Sequence, residues 1–447
     1  MNTYLNLYGR EIGQFAICSI IALVSCHEGR KSKEDFVGAK SKTIIHELNE
    51  RDIPKGTNVI AFIGATLIDG NGGEPVQNSC IVVRNEKIEW VGKDGEVDIP
   101  EEAEVINVKG LTMLPGLIDA HYHNEESLEL PVLVLSHGVT SVRDPGAWIE
   151  AYDQVRTSGK TLPRLFLTGP HLDSYPPAYP NDAYVVRDAE EGRLAVNRLA
   201  DQGATAIKVY FRLPIGTIKE VCKSAHLRGL PVTSHLEIVD AKDAIEAGLD
   251  GIEHITSFGT VLQSAREGEK YKQLILSDNN ARKRGRYEVW SSMKLENNVV
   301  ADSLIQFLSR KKIFLSPTLA AFEKRFDQGD SIEVNGFRNM MKLVGQAKKG
   351  GVRIVVGSHG TVSYAETGFA YFREMELLQM AGLSTMEIIV AATMENARFF
   401  RIEERLGSIE RGKLADIIFV KGDPLKDISV MRKINMVMLN GVWITFR

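Results

Sequence analysis

Apolar residues in the middle of the chain fall into short runs divided by longer amphipathic stretches, and the two kinds of segment differ in period. The short runs are GLIDAHYH (116–123), VTSVRD (139–144), RLFLTG (164–169), TAIKVY (205–210), LPVTSH (230–235), GIEHI (251–255), IFLSPTL (313–319) and RIVVGSH (353–359). Runs this short, rich in β-branched residues, predict buried strands. Between them, EEGRLAVNRLADQG, IGTIKEVCKSAHLRG, VDAKDAIEAG and FRNMMKLVGQAKKG repeat their apolar positions at helical spacing and end in glycine, as helix C-termini prefer. Eight strands alternating with helices predict an α/β chain built as a (β/α)₈ TIM barrel. The seventh strand is preceded by an insertion over about 259–298, too long for a plain loop, which we expect to cap the barrel mouth.

Both ends have a different texture. NVIAFIGATLIDGNGGEPV and SCIVVRNEKIEWVG near one end, and GSIERGKLADIIFVKGDP and INMVMLNGVWI near the other, are β-branched runs broken at turn residues. They predict one small discontinuous β-sandwich domain from 58–112 plus 400–447, around a barrel at 113–399. Ahead of it, an apolar run from Phe15 to Val24 fits a cleaved signal peptide over 1–26, and Leu23-Val24-Ser25-Cys26 resembles a bacterial lipobox. Cys26 is then the lipidation site, and 27–57 is a polar tether. This reading makes the chain an exported lipoprotein, periplasmic or associated with the outer membrane, touching membrane only through its lipid.

Composition narrows the chemistry. A net charge of -4 gives no basic face for nucleic acid, and no apolar stretch reaches the ~20 residues of a spanning helix. Of four cysteines, Cys18 leaves with the signal and Cys26 is acylated, so Cys80 and Cys222 remain, too few for a disulfide framework or a thiolate metal site. Any metal ligands are therefore nitrogen and oxygen.

Chemistry in a barrel belongs where the strands end. Of ten histidines, His121 and His123 end the first predicted strand, His235 the fifth and His359 the eighth, and His254 lies near the end of the sixth; Lys208 lies near the end of the fourth. Residues two apart on a strand face the same way, so His121 and His123 together can grip one cation. His27, His46, His137 and His226 read as surface or loop residues; His171, Tyr210 and Arg284 are candidates for touching substrate. Arg284 belongs to a basic run with Arg282, Lys283 and Arg286 that either clamps a carboxylate or is a solvated face. Asp119 has the strand parity of the two histidines and is expected to orient one of them. Gly357 and Gly360 read as backbone geometry around His359.

PGLIDAHYH, GVTSVRDPG, IKVY, TSHLE, GIEH, SPTL and GSIERGKLADIIFV, in this order, resemble the motifs of the amidohydrolase superfamily, nearest its imidazolonepropionase-like and prolidase-like branch. The resemblance runs from Asn58 to Arg447. It implies two divalent ions, zinc first with manganese, iron or cobalt as alternatives. His121 and His123 would hold one ion and His235 and His254 the other, with Lys208, carboxylated from CO₂, bridging them. It implies hydrolysis of an amide or peptide-like C–N bond in a small substrate, such as a dipeptide, by a metal-activated hydroxide. At the eighth strand the family usually has aspartate and this chain has His359. Three readings follow: His359 serves as ligand and catalytic proton carrier, another acid such as Asp144 or Glu237 is the base, or the site is mononuclear or weak. The competing function is an exported binding lipoprotein that keeps the barrel with little or no turnover; a deaminase is a third. Oligomeric state is left open.

Overall fold

The computed structural model describes residues 44–445; the signal, the lipobox and Cys26 lie outside them. All eight expected barrel strands form: Leu117–Asp119, Val139–Asp144, Arg164–Leu167, Ile207–Val209, Val232–Ser234, Gly251–Glu253, Phe314–Ser316 and Arg353–Ile354. Their pairings are all parallel. The first three make one ladder, and the last five join a second with His171–Asp173 and Ala183–Val185. The division has a local cause. The third strand is broken by Gly169, at φ +73°, and by Pro170, which has no N–H to give a ladder. Its first half pairs with the second strand, and its continuation, His171–Asp173, pairs with the fourth. Backbone bonds cross both seams, Thr205 N–H to Leu167 O at 2.8 Å and Ala120 N–H to Val356 O at 2.9 Å.

Helices pack outside the strands with their starts fixed by side chains. Asp188 caps Ala189–Asp201, Asn298 caps Val299–Lys311, and Asp330 with Glu333 forms a capping box on Ser331–Lys349. The insertion before the seventh strand folds into helices Ala265–Ser277 and Arg282–Ser291, the latter burying Arg282, Gly285, Tyr287 and Trp290. Among the described residues no helix is long and apolar enough to cross a membrane.

Strands from both ends meet in one sheet. Val59–Leu67, Val76–Arg84, Lys87–Lys93, Glu104–Asn107 and Leu111–Pro115 join Ile417–Lys421, Ile434–Leu439 and Val442–Trp443. The expected sandwich would have two facing ladders, whereas these eight strands are hydrogen-bonded into a single sheet. It has a core of its own, in which Phe62 is edge-on to Phe419 at 5.1 Å and to Trp443 at 5.4 Å.

The polar tether was expected to run to residue 57, but its later part is packed. Ile45, Glu47, Asn49 and Ile53 are all buried. Asn49 bonds both Pro163 O and Leu165 N–H at 2.9 Å. Arg164 pairs with Glu47, and also reaches Asp416 and Asn440 at 2.9 Å, while Arg405 takes the other Glu47 oxygen at 2.9 Å. A buried guanidinium needs such partners, and they come from 45–53 and from the far end of the chain.

Candidate metal centre and active site

Five imidazoles and one amine converge at the C-terminal ends of the barrel strands. His121 and His123 directly follow the first strand, and their rings stand 4.9 Å apart at 84°. His254 lies 4.5 Å from both His121 and His235, and His359 is 5.3 Å from His121 and 4.8 Å from His123. Nitrogens of His121, His123 and His359 all lie within 4.8 Å of one another. Two of these residues stand in the left-handed region, His254 at φ +65° and His359 at φ +69°. Such strain in non-glycine residues persists only where surroundings enforce it. Here His359 N–H is held by His121 O at 2.6 Å. A Cβ on Gly357 would lie 2.6 Å from His121 Cβ, and one on Gly360 would lie 2.3 Å from His123 O. Both glycines let the eighth strand end close against the H-x-H pair, as expected.

The second contacts of each ring decide which nitrogen is left for a ligand. His121 Nδ1 meets Glu253 at 2.7 Å and His123 Nδ1 meets Asp144 at 3.2 Å. Carboxylates accept, so each Nδ1 carries the proton and each Nε2 offers a lone pair. Those two Nε2 atoms face each other at 3.1 Å. Two lone pairs so placed require a shared proton or a cation between them. His235 gives Nε2–H to Glu237 at 3.1 Å, leaving Nδ1 buried without a partner. His254 places Nδ1 2.6 Å from Thr318 Oγ1, leaving Nε2.

Charge follows burial. Burial pulls His121 down to about 3 and His235 to about 4, and holds His254 and His359 well below the ordinary histidine value. For His123 burial acts the same way, but the hydrogen bond and charge of Asp144 outweigh it and the value rises. Lys208 is 2% exposed and its Nζ meets no partner among the described residues. Burial lowers it to about 8, with Glu253 opposing and Arg143 assisting. Four imidazoles held neutral by burial, the Asp144-paired His123 and an amine poised to lose its proton form a donor set that fits divalent ions of the zinc type.

Above the floor opens a cavity of about 780 Å³ lined by all five histidines, Lys208, His171, Tyr210 and the cap residues Arg282, Lys283, Arg286 and Tyr287. His171 and Tyr210 meet at 4.3 Å with their rings tilted by 36°, and Tyr210 meets His235 at 4.9 Å. Arg284 is a correction. It pairs with Asp330 at 2.7 Å and Glu288 at 3.3 Å on the outer face of the cap. Arg282 and Arg286, four apart, share the inner face, and position 284 points elsewhere on a helix. Asp119 departs as well: Oδ1 accepts from the backbone N–H of His121 at 3.1 Å and of Ser358 at 2.9 Å, not from an imidazole. Burial raises its carboxyl to about 7. It fixes the two chain segments on which His121 and His359 stand.

Glu253 was not foreseen. It is fully buried and accepts from His121, from Arg143 at 3.0 Å and from Thr233 at 2.8 Å. Its signal was present, since Arg143 and Glu253 are charges inside apolar strand runs and buried charges must pair.

Residues 112–444 match the Amidohydrolase family, and the chain belongs to it. An adenine deaminase of Rubrobacter xylanophilus is 28% identical over 102 residues, 23% of this chain and 17% of that protein. An imidazolonepropionase of Idiomarina loihiensis is 37% identical over 59 residues, 13% of this chain and 14% of that protein. The matched stretches thus span under a fifth of these relatives. A Xaa-Pro dipeptidase crystallised with methionine in its active site superposes with a TM-score of 0.66 at 23% identity, covering 87% of this chain and 100% of that one. That likeness carries the TIM-barrel fold.

Proposed function

We propose that the chain hydrolyses a C–N bond, amide or peptide-like, in a small substrate, with two divalent ions held at the barrel mouth. The observation behind it is the set of donor atoms left over when every other contact is counted. These are Nε2 of His121, His123 and His254, Nδ1 of His235, a His359 nitrogen and the unpartnered Lys208 Nζ. His121, His123 and His359 would hold one ion, His235 and His254 the other. Lys208, neutral often enough at a value of about 8 to take up CO₂, would bridge them as its carbamate. Bound ions of this kind lower the pKa of water and polarise a carbonyl.

The rest of the work falls to the protein's own groups. Asp144 is occupied by His123, by Tyr152 at 2.8 Å and by backbone N–H groups, so it orients rather than accepts a proton. In Glu237 burial is outweighed by Arg286 and His235, which hold it near 2 and make it a poor base. His359 stands in the usual aspartate's place; burial holds it neutral, and the ring nitrogen not given to the ion would be the one able to hand a proton to the leaving nitrogen.

Chelator dialysis is expected to abolish turnover of dipeptides, N-acyl amino acids or cyclic amides, and zinc to restore it. A chain with both ions that turns over nothing in that panel, or in an adenine control, would favour the binding-protein reading, which the imidazole at position 359 alone supports. We further propose export and acylation at Cys26, supported by the apolar run Phe15–Val24 that continues into Leu23-Val24-Ser25-Cys26. A Cys26→Ala chain is then expected to leave the membrane fraction; unchanged fractionation would sink the anchor.

A further inference from the structure

We propose that Arg282 and Arg286 of the cap form a carboxylate subsite, so that the preferred substrates are amides bearing a free carboxylate, such as dipeptides and N-acyl amino acids, rather than neutral amides. The inference rests on the hydrolase reading above and names its substrate class.

The argument is one of charge left over. Both guanidinium side chains line the cavity, and they are 2% and 11% exposed. A buried guanidinium is stable only when matched by anions and acceptors. Here two of them share one carboxylate oxygen: Arg286 Nη2 lies 2.7 Å from Glu237 Oε1 and Arg282 Nη1 lies 3.7 Å from the same atom. That oxygen already takes His235 Nε2–H at 3.1 Å, and the other takes Tyr271 O–H at 3.3 Å. Arg282 otherwise meets the Tyr179 hydroxyl and lies over the Tyr179 and Phe211 rings, as Arg286 does over Phe322, none of which supplies a negative charge. Nε of both arginines has no partner among the described residues. The pair is thus one negative charge short, and Lys283 adds another positive charge to the cavity lining.

The missing anion is expected to be planar. Two guanidiniums on one helix face, four residues apart, suit the fork geometry of a carboxylate. The cavity also has a polarity. Glu323 in its lining is already paired with Arg325 and Arg373 and stands beside Lys324, whereas Glu125, Glu126 and Asp182, on the loops after the first and third strands, repel an anion from that side. An anionic end therefore settles under the cap helix, and the rest of the molecule extends toward the histidines. Glu237 acts as a positioning residue, since it holds both arginines and His235 at once.

The test compares a panel of N-acetyl amino acids with their carboxamides, which differ only in the anionic end. Binding to the full-length, zinc-loaded protein is measured by calorimetry, and hydrolysis is followed in parallel. The acids are expected to bind at least ~10-fold tighter than their amides, as charge-assisted pairs imply. In Arg282→Gln that preference should vanish, and in Arg286→Lys, which keeps the charge and loses the fork, it should shrink. Equal binding of acids and amides by the wild type, absence of binding by every acid, or a preference that survives in a folded Arg282→Gln chain would overturn the subsite. An arginine-dependent preference without hydrolysis upholds the subsite and removes the hydrolase reading. Hydrolysis without preference does the reverse.

Discussion

Replacing Lys208 by alanine is expected to remove bound metal and to lower turnover by more than about 100-fold, while leaving the fold intact. The last clause is what makes the result informative. Most fully buried side chains hold something, but Lys208 Nζ has no hydrogen-bond partner among the described residues. Burial costs the ammonium part of its charge, which is why it is pulled to about 8. Removing it breaks no hydrogen bond and relieves the cost of a buried amine, while the positive charge it lends Glu253 is still supplied by Arg143. Circular dichroism and the unfolding midpoint should therefore match the wild type, while elemental analysis falls from two ions per chain. A Lys208→Ala chain that keeps both ions and its turnover would mean that the amine plays no part in the centre.

Glu253→Ala is expected to act in the opposite way, on stability as well as function. Arg143 is 1% exposed, and Glu253 is its only carboxylate partner among the described residues. Deleting one partner of a buried pair costs about 3–5 kcal/mol, because the other charge is left uncompensated. The gentler Glu253→Gln keeps the shape but no longer demands a proton on His121 Nδ1, so metal affinity should fall about 10–100-fold. Acid sensitivity follows from the same contacts. Burial pushes the Glu253 carboxyl up, but Lys208, His121 and Arg143 together hold it well below its ordinary 4.5. Between those two values the unfolded chain binds the proton and the native chain does not. The contribution is therefore complete above about pH 4.5 and is lost as pH falls below it. Urea midpoints measured at neutral pH and near pH 4 should differ more for the wild type than for Glu253→Gln. Equal acid sensitivity in the two would show that this carboxylate does not set it.

The barrel was readable because each strand is a short apolar run closed by a helix-ending glycine or a turn, and the site because histidines stand where those runs stop. What escaped reading depends on partners far away in the chain. Glu253 looks like one polar residue beside a ligand candidate until Arg143, 110 positions earlier, lies 3.0 Å away. Residues 45–53 are polar in composition, and only the buried Arg164 and Arg405 explain why Glu47 is packed. Arg284 was separable from its neighbours by helical phase alone. The interruption of the third strand was also visible, in Gly169-Pro170, but it was read as the strand's end rather than as a change of pairing partner.

The packing of residues 45–53 braces the barrel on the face away from the centre. Asn49 bonds Pro163 and Leu165, at the start of the third strand, whereas every histidine of the centre lies beyond the strand ends. Parallel strands put those two places on opposite faces of the barrel. Arg164, with Glu47, Asp416 and Asn440, therefore ties residues 45–53 and the far end of the chain to the face away from the centre, where a substitution acts on stability and leaves the ligand geometry alone.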